Sequence, residues 1–394
     1  MEIEELLKKG EEAFHNMNWR DVVRINEEIL NQATDERIRN LATGFYHYAL
    51  AKLGKDYAQI ILNLDKAGQS FKLADENLAS FAEIEKLMLL SEFDEENKGG
   101  HLKNLGEFTQ GLYMRTGDAN HLQLAIGALE NARKYFEKEE LAQINLNLTF
   151  CYGSYAPSSE NPREMYEKLI RLCKEMEKSY KGANLARVKM NASIAYQNLA
   201  SLKDAENPKD DLNKAVKLNE EAIKLFERIN SRPEMLKAKQ TLANILRDAA
   251  LFDTDNAAEH LKKVIQLRKE VAKQFLDVGS ELNSAYETFD LGTAFLELSS
   301  LDAARSKKHL TEAIARLEDA AKIFENEKQM EDLGQAKLGI AVAYKNQSNL
   351  KKAVKMFEEA IDIFEKEKNT VLLGHARLTL AAACRDMAEK DRGK

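Results

Sequence analysis

Hydrophobic and small residues recur at a fixed interval near the end of the chain. When the last eighty or so residues are aligned with themselves at an offset of forty, three groups coincide: Ile323-Phe324-Glu325 with Ile363-Phe364-Glu365, Leu333-Gly334 with Leu373-Gly374, and Ala336-Lys337-Leu338 with Ala376-Arg377-Leu378. The coinciding positions are mostly apolar or small. A period of this size predicts a solenoid, in which one helical hairpin stacks on the next.

An aromatic or apolar residue closes the first helix of each predicted hairpin. These closing residues are Tyr113, Tyr152, Tyr196, Leu246, Phe295, Tyr344 and Cys384, and neighbours in the series lie 39 to 50 positions apart. The second helices carry a small residue followed four positions later by phenylalanine, at Ala132/Phe136, Ala222/Phe226, Ala320/Phe324 and Ala360/Phe364. Small residues let neighbouring helices approach, and the aromatic ring fills the space between hairpins. The pattern therefore predicts an all-α fold of stacked antiparallel helix hairpins.

The spacing of one repeat resembles a known family. Ile340, Ala341, Tyr344, Ala353, Phe357 and Ala360 follow the order of small and large residues in the tetratricopeptide repeat, whose period is about 34. Weaker copies lie near Trp19 and Tyr113, and only residues 334–367 match closely. Spacings of 44 to 50 exceed the family's period, so the middle repeats need longer helices or longer turns. They resemble the extended repeats of kinesin light chains and bacterial peptide-sensing regulators, which implies a right-handed α-solenoid.

The repeat pattern is uneven along the chain. It predicts a first hairpin over 1–34, an irregular helical region over 35–100, an array of about six hairpins plus a final helix over 101–390, and a tail at 391–394. The stretch 57–98 is too long for one helix and is expected to split near residues 73–75. Segment 75–98 is rich in carboxylates and forms either a solvated acidic face or a docking surface for a basic partner. Gly99 and Gly100 are expected to break the chain ahead of the next helix.

Composition favours long helices and argues against a membrane protein. Four prolines and 31% charged residues leave long stretches free to be helical. The sequence has no uncharged apolar run of about 18 residues and no signal-peptide pattern. We therefore predict a cytoplasmic protein that has no membrane partner.

Residues that could carry chemistry are scattered. Cys151, Cys173 and Cys384 lie far apart without a Cys-x-x-Cys pair, which argues against a disulfide framework or a zinc site and predicts buried small apolar residues. The seven histidines lack metal-binding spacing, and the sequence has neither a phosphate-binding loop nor a nucleophile elbow. We expect no enzymatic activity, no metal and no cofactor.

The resemblance also implies a binding groove. In tetratricopeptide repeats the first helices line the concave side, and groove-facing positions lie nine residues before the closing residue and one after it. These positions and their neighbours provide the peptide-binding candidates Asn104, Gln143, Arg187, Lys237, Asn244, Arg247, Tyr286, Gln335, Lys345, His375 and Arg385. Five of them are Arg or Lys in a chain of net charge -7, although Asp248, Glu297 and Asp386 adjoin this face. An acidic peptide, a carboxyl terminus or a phosphorylated segment would fit such a face. Ordinary exposed positions are the alternative.

Three function classes follow from these observations. The first is a non-catalytic scaffold or adaptor that binds a protein or peptide along the groove, and the second is a peptide-sensing regulator of the Rap kind with an N-terminal effector bundle. The third is RNA binding through basic residues in 163–189, against which a pI of 5.7 and a single Trp argue. The final helix has no following partner before Lys394, which predicts either fraying or a homodimer through this helix.

Overall fold

The fold consists of helices stacked in chain order. The computed structural model of the protein describes residues 3–392, with side chains through residue 388. Over this range the chain forms eighteen α-helices and two short 3-10 turns, without a β-strand. The all-α helical repeat solenoid expected from the sequence is confirmed. The contacts divide the chain into two units, the first ending at Leu172 and the second beginning at Cys173.

The first unit contains eight complete helices and most of a ninth. They are α1 (Ile3–His15), α2 (Trp19–Gln32), α3 (Glu36–Leu53), α4 (Tyr57–Lys72), α5 (Glu76–Phe93), α6 (Lys98–Thr116), α7 (Ala119–Ala132), α8 (Lys138–Tyr155) and α9 (Pro162–Glu177). The predicted split near residues 73–75 is confirmed, because α4 ends at Lys72. Asp75 caps α5, where its carboxylate accepts hydrogen bonds from the backbone N–H groups of Asn77 and Leu78 at 2.9 and 3.2 Å.

The second unit contains the regular part of the array. Its helices are α10 (Gly182–Ala200), α11 (Pro208–Arg228), α12 (Arg232–Phe252), α13 (Ala257–Asp277), α14 (Glu281–Leu301), α15 (Ser306–Asn326), α16 (Met330–Asn346), α17 (Leu350–Lys366) and α18 (Thr370–Arg392). Helices α12 to α15 have 21 residues each, whereas α16 and α17 have 17. The turns from α12 to α18 have three or four residues throughout. From α12 to α16, longer helices and not longer turns therefore produce the repeat spacing of 49, whereas the seven-residue turn 201–207 between α10 and α11 contributes to the spacing of 50.

Phenylalanines form the centre of the repeat on three of the four second helices of the second unit, α11, α15 and α17. Phe226, Phe324 and Phe364 are completely buried, each four residues after a buried alanine. The expected pair Ala132/Phe136 was wrong in its second member, because α7 ends at Ala132 and Phe136 lies in the following turn, partly exposed. The ring of Phe364 lies against Gly334 of α16, where a Cβ atom would be only 2.6 Å from a ring carbon. Gly334 therefore allows the backbone of α16 to approach the second helix of its hairpin closely.

First helices of successive hairpins also contact one another. In the second unit α10 contacts α12, α14 contacts α16, and α16 contacts α18; in the first unit α6 contacts α8. In the second unit, where Arg247 of α12 also pairs with Glu297 of α14, the first helices therefore form a continuous layer. The side chains on the open side of this layer are the ones that a bound segment would meet.

Three turns between consecutive helices share a carboxylate–imidazole pair that the sequence analysis missed. In each turn an Asp ends one helix, and the His seven positions later faces it from the next helix. The Nε2–Oδ2 distances are 2.9 Å for Asp94–His101, 3.5 Å for Asp253–His260 and 3.2 Å for Asp302–His309. The three Asp residues have nearly the same backbone angles, with ψ between 72 and 79°. The pair therefore fixes the path of the chain around these turns.

Asp253 is the most strongly held of the three carboxylates. Its Oδ2 accepts a hydrogen bond from the Asn256 amide at 3.0 Å, and Lys209 Nζ lies 3.0 Å from Oδ1. Hydrogen bonds from Asn256 and Lys209, with a smaller contribution from His260, lower the pKa of Asp253 to about 2. The carboxylate is therefore ionised at any pH near neutrality.

Two expectations about single residues were wrong. Gly99 and Gly100 lie in the first turn of α6 and do not precede it; a Cβ on Gly99 would lie 2.4 Å from Tyr135 Cβ, so close packing explains this glycine. Cys384, on α18, is exposed and not buried as expected. Cys151 and Cys173 are buried as expected, and burial raises the pKa of each thiol to about 12.

Candidate functional site

The predicted groove residues fall on the first helices of both units. Asn104 on α6 and Gln143 on α8 belong to the first unit. The other nine lie in the second unit: Arg187 on α10, Lys237, Asn244 and Arg247 on α12, Tyr286 on α14, Gln335 and Lys345 on α16, and His375 and Arg385 on α18. All nine are exposed or half-buried. We call the open side of α10, α12, α14, α16 and α18 the first-helix face.

Four of these residues bridge consecutive first helices. The pairs are Arg187–Glu234 at 2.9 Å, Arg247–Glu297 at 2.5 Å, Tyr286–Asp332 at 2.9 Å and Lys345–Asp386 at 3.6 Å. Each pair joins one first helix to the next. The structure therefore brings together side chains from neighbouring repeats that lie about 40 to 50 residues apart in sequence.

This pairing changes the expected charge of the first-helix face. The side chains of Arg187, Arg247 and Lys345 each lie against a carboxylate, so these three cations add little net positive field. Lys237 and Arg385 differ, since both are exposed and neither has an ion pair among the residues whose side chains are described. The face is a row of alternating charges and not a continuous basic strip.

A small open cavity lies between α10, α12 and α14. It has a volume of about 410 Å³, and Gln197, Asn244, Arg247, Asp248, Leu251 and Glu297 line it. The Gln197 amide donates a hydrogen bond to Asp248 Oδ2 at 2.6 Å. The lining is mostly polar and its hydrogen-bonding groups are largely paired. The cavity could hold one polar side chain of a bound segment.

A buried arginine beneath the face escaped the sequence analysis. Arg268 on α13 points between α12 and α14, where its guanidinium lies 2.6 Å from Glu287 Oε2 and 2.9 Å from Asp290 Oδ2. It also donates a hydrogen bond to Asn244 Oδ1 at 2.5 Å, so this groove candidate is held from below. A signal existed in the sequence, because Arg268 occupies a helical spacing with Val264 and Val271, where an apolar residue is expected.

The described residues hold neither a metal cluster nor a membrane-spanning helix. Among them no cluster of three His, Cys, Asp or Glu side chains is arranged to hold a metal ion. Within the same part of the chain, no helix combines the length and the apolar character that crossing a bilayer would require.

Comparisons with known proteins agree with the architecture. A family model described as "SNAP: Soluble NSF attachment protein, SNAP" matches residues 263–390, which is less than half of the chain. No curated protein is significantly similar in sequence. The chain is thus similar to this family over α13 to α18, and the match does not extend to the first unit.

Solved structures are similar over most of the chain at low identity. The STAND protein with a tetratricopeptide repeat sensor, PH0952 from Pyrococcus horikoshii, is 15% identical with a TM-score of 0.50, over 93% of this chain and 49% of that chain. This chain therefore spans about half the length of that protein. The apo form of RapI is 15% identical with a TM-score of 0.44, over 93% and 99% of the two chains. A Rap protein complexed with Competence and Sporulation Factor is 11% identical with a TM-score of 0.36, over 98% and 99%.

These comparisons concern the fold. The likeness to the tetratricopeptide repeat sensor of PH0952, together with the helix pattern, confirms that the chain has a tetratricopeptide-type repeat fold. At this level of identity a shared fold carries no information about the ligand. The function must therefore be argued from the residues of the first-helix face.

Proposed function

We propose that this protein is a non-catalytic scaffold or adaptor that binds a protein or peptide segment along the first-helix face of the second unit. The observation that carries the proposal is the row of polar side chains that links consecutive first helices, including Arg187–Glu234 and Arg247–Glu297. A repeat array presents equivalent positions at regular intervals. An extended or helical segment lying along this row would contact several repeats in the same way.

The ion pairs of the face can be exchanged for pairs with a partner. The side chains of Arg187 and Glu234 are 45% and 31% exposed, and exposed pairs of this kind contribute about 0 to 1 kcal/mol. A partner segment can therefore replace them at low cost. Lys237, which has no ion pair to break, is the position at which an acidic group of the partner would bind most readily.

The test removes face residues that take no part in the ion pairs. The triple variant Lys237→Ala, Gln335→Ala and His375→Ala should lose the proteins that the wild-type chain retains from an extract of its native cell. These side chains are exposed or half-buried, so the fold should be unchanged, as circular dichroism would show. Each retained protein is then purified, and its affinity for the two chains is measured.

A matched variant on the second helices controls for charge and number of substitutions. Asn213→Ala, Gln266→Ala and Lys351→Ala remove one lysine and two uncharged polar side chains, all exposed, from α11, α13 and α17. This control should bind like the wild-type chain. Equal loss of affinity in both variants would mean a long-range field effect, and undiminished binding by the face variant would refute the first-helix face as the site.

A peptide-sensing regulator is the second candidate, and the division of the chain favours it. The first-helix face lies in the second unit, whereas the first unit, ending at Leu172, is available as an effector for another protein. In such a regulator, a segment bound to the face would change the affinity of the first unit for its target. Unchanged target affinity at saturating segment would leave the scaffold as the function.

A further inference from the structure

The first unit contains a lysine held between two aromatic rings and a carboxylate. Lys52, in the last turn of α3, places its Nζ 5.3 Å from the ring centroid of Tyr48 and 6.0 Å from that of Trp19. The two rings have centroids 6.0 Å apart and planes inclined at 66°, so they form two walls around the ammonium group. Both distances lie within the range of cation–π attraction.

Glu85 on α5 closes a third side of this site. One of its carboxylate oxygens accepts a hydrogen bond from Lys52 Nζ and the other accepts one from the Tyr48 hydroxyl. Burial and the hydrogen bond to Glu85 raise the pKa of Tyr48, so the phenol stays protonated and continues to donate. Phe81, one turn before Glu85, lies 5.9 Å from the Tyr48 ring and is exposed. We call Trp19, Tyr48 and Glu85 the aromatic box.

We propose that the aromatic box is a binding site for an alkylammonium group of a ligand, and that Lys52 is its internal occupant. Two π faces and one carboxylate are the groups that recognise a weakly hydrated cation, such as a quaternary ammonium or a methylated lysine. The proposal concerns the first unit and does not depend on the first-helix face. Binding would require Lys52 to leave the box.

The position of Lys52 allows this exchange. Its side chain is 32% exposed, so solvent reaches the residue that occupies the box. Lys52 is also in the last turn of α3, just before Gly54 and the turn into α4, where no further helical turn confines the side chain. The ion pair and the cation–π contacts of a partly exposed lysine are each weak interactions. A quaternary ammonium loses less hydration than Lys52 does and competes for the same walls.

The fluorescence of Trp19 tests the proposal directly, because it is the only tryptophan of the chain. Choline chloride is titrated into the full-length wild-type protein and the Lys52→Ala variant, and the emission of Trp19 is followed. Emission should change saturably in both, with an association constant about tenfold higher in Lys52→Ala, since the internal competitor is gone. Lys55→Ala, which removes an exposed lysine beyond Gly54, should behave like the wild type.

Two further titrations separate cation recognition from apolar binding and identify the source of the cation. 3,3-Dimethyl-1-butanol, the uncharged isostere of choline, should leave Trp19 emission unchanged, and Glu85→Gln added to Lys52→Ala should remove choline binding. A peptide with trimethyllysine that binds more tightly than choline would identify a protein partner, whereas tighter binding of choline would identify a small ligand. The proposal would be overturned if the neutral isostere changed Trp19 emission as much as choline does. It would also be overturned if choline did not change the emission of Lys52→Ala while circular dichroism showed native helix content.

Discussion

Replacing Arg268 by methionine should destabilise the centre of the second unit by about 3 to 5 kcal/mol, because removing one partner of a buried ion pair leaves an uncompensated charge. Methionine retains most of the volume of the arginine's aliphatic part, so the loss of stability measures the contribution of the guanidinium. The side chains of Arg268 and Glu287 are both 4% exposed, and Glu287 would keep only the hydrogen bond from the Gln240 amide at 2.7 Å. Asp290, at 32% exposure, can regain water, so Glu287 accounts for most of the effect.

Amide hydrogen exchange measured by mass spectrometry is the appropriate assay, since a repeat array unfolds locally. Exchange in α12, α13 and α14 should become about 10²- to 10⁴-fold faster in Arg268→Met, at about 1.4 kcal/mol per factor of ten, and change much less in α17. Adding Glu287→Gln should restore much of the protection, because it removes the buried charge that the first substitution left unpaired.

Arg316→Met is the matched control. Arg316 also lies on a second helix between two carboxylates, Glu312 at 3.6 Å and Asp319 at 3.0 Å, but its side chain is 38% exposed. Its loss should cost less than about 1 kcal/mol. A loss below about 1 kcal/mol in Arg268→Met, or an equal loss in both variants, would refute the assignment of Arg268 as a buried ionic anchor.

Three further predictions follow from single contacts. Gly334→Ala should lower the free energy of unfolding by about 1 to 3 kcal/mol, because the new Cβ would lie 2.6 Å from the ring of Phe364. Gly374→Ala should raise helix stability by up to about 1 kcal/mol, because no atom lies within 4 Å of its Cβ. Urea unfolding followed by circular dichroism measures both changes. Asp253→Asn should reduce stability near neutral pH. Because the folded pKa of Asp253 is lowered to about 2, its contribution is present above the unfolded pKa of Asp and is lost as pH falls through about 2, so the wild-type and variant curves should converge in acid. Iodoacetamide should alkylate Cys384 in the native protein, and modification of the other two cysteines before unfolding would contradict their burial.

Much of the architecture was readable from the sequence because repetition is a local signal. The closing residues, the alanine and phenylalanine pairs of the second helices and the break near residue 74 all depend on spacing within one or two helices. Those positions predicted an all-α stacked array, and the described helices confirm it. The division into 1–34, 35–100 and 101–390 stays a prediction, as does the assignment of the eleven groove candidates to a binding site.

Contacts between repeats were decided only by the tertiary structure. The sequence places Arg187, Arg247 and Lys345 in columns that suggest a basic groove, but the stacking of first helices puts a carboxylate of the next repeat against each. The sequence pattern gives the sign of the charge on each side chain. It does not show which side chain, forty to fifty residues away, lies beside it in the folded chain. Charge on a surface is a sum over neighbours in space.

The repeated Leu-Gly pair shows the same limit most simply. Gly334 and Gly374 occupy equivalent places in two copies of one pattern, and the sequence treats them alike. In the folded chain Gly334 is pressed against Phe364, whereas no atom lies within 4 Å of a Cβ on Gly374. Periodicity determined by itself that both residues are helical. Only the packing of one helix on another decided which glycine the close approach requires. The distance between two helices depends on the side chains of both, so the sequence of one helix does not determine it.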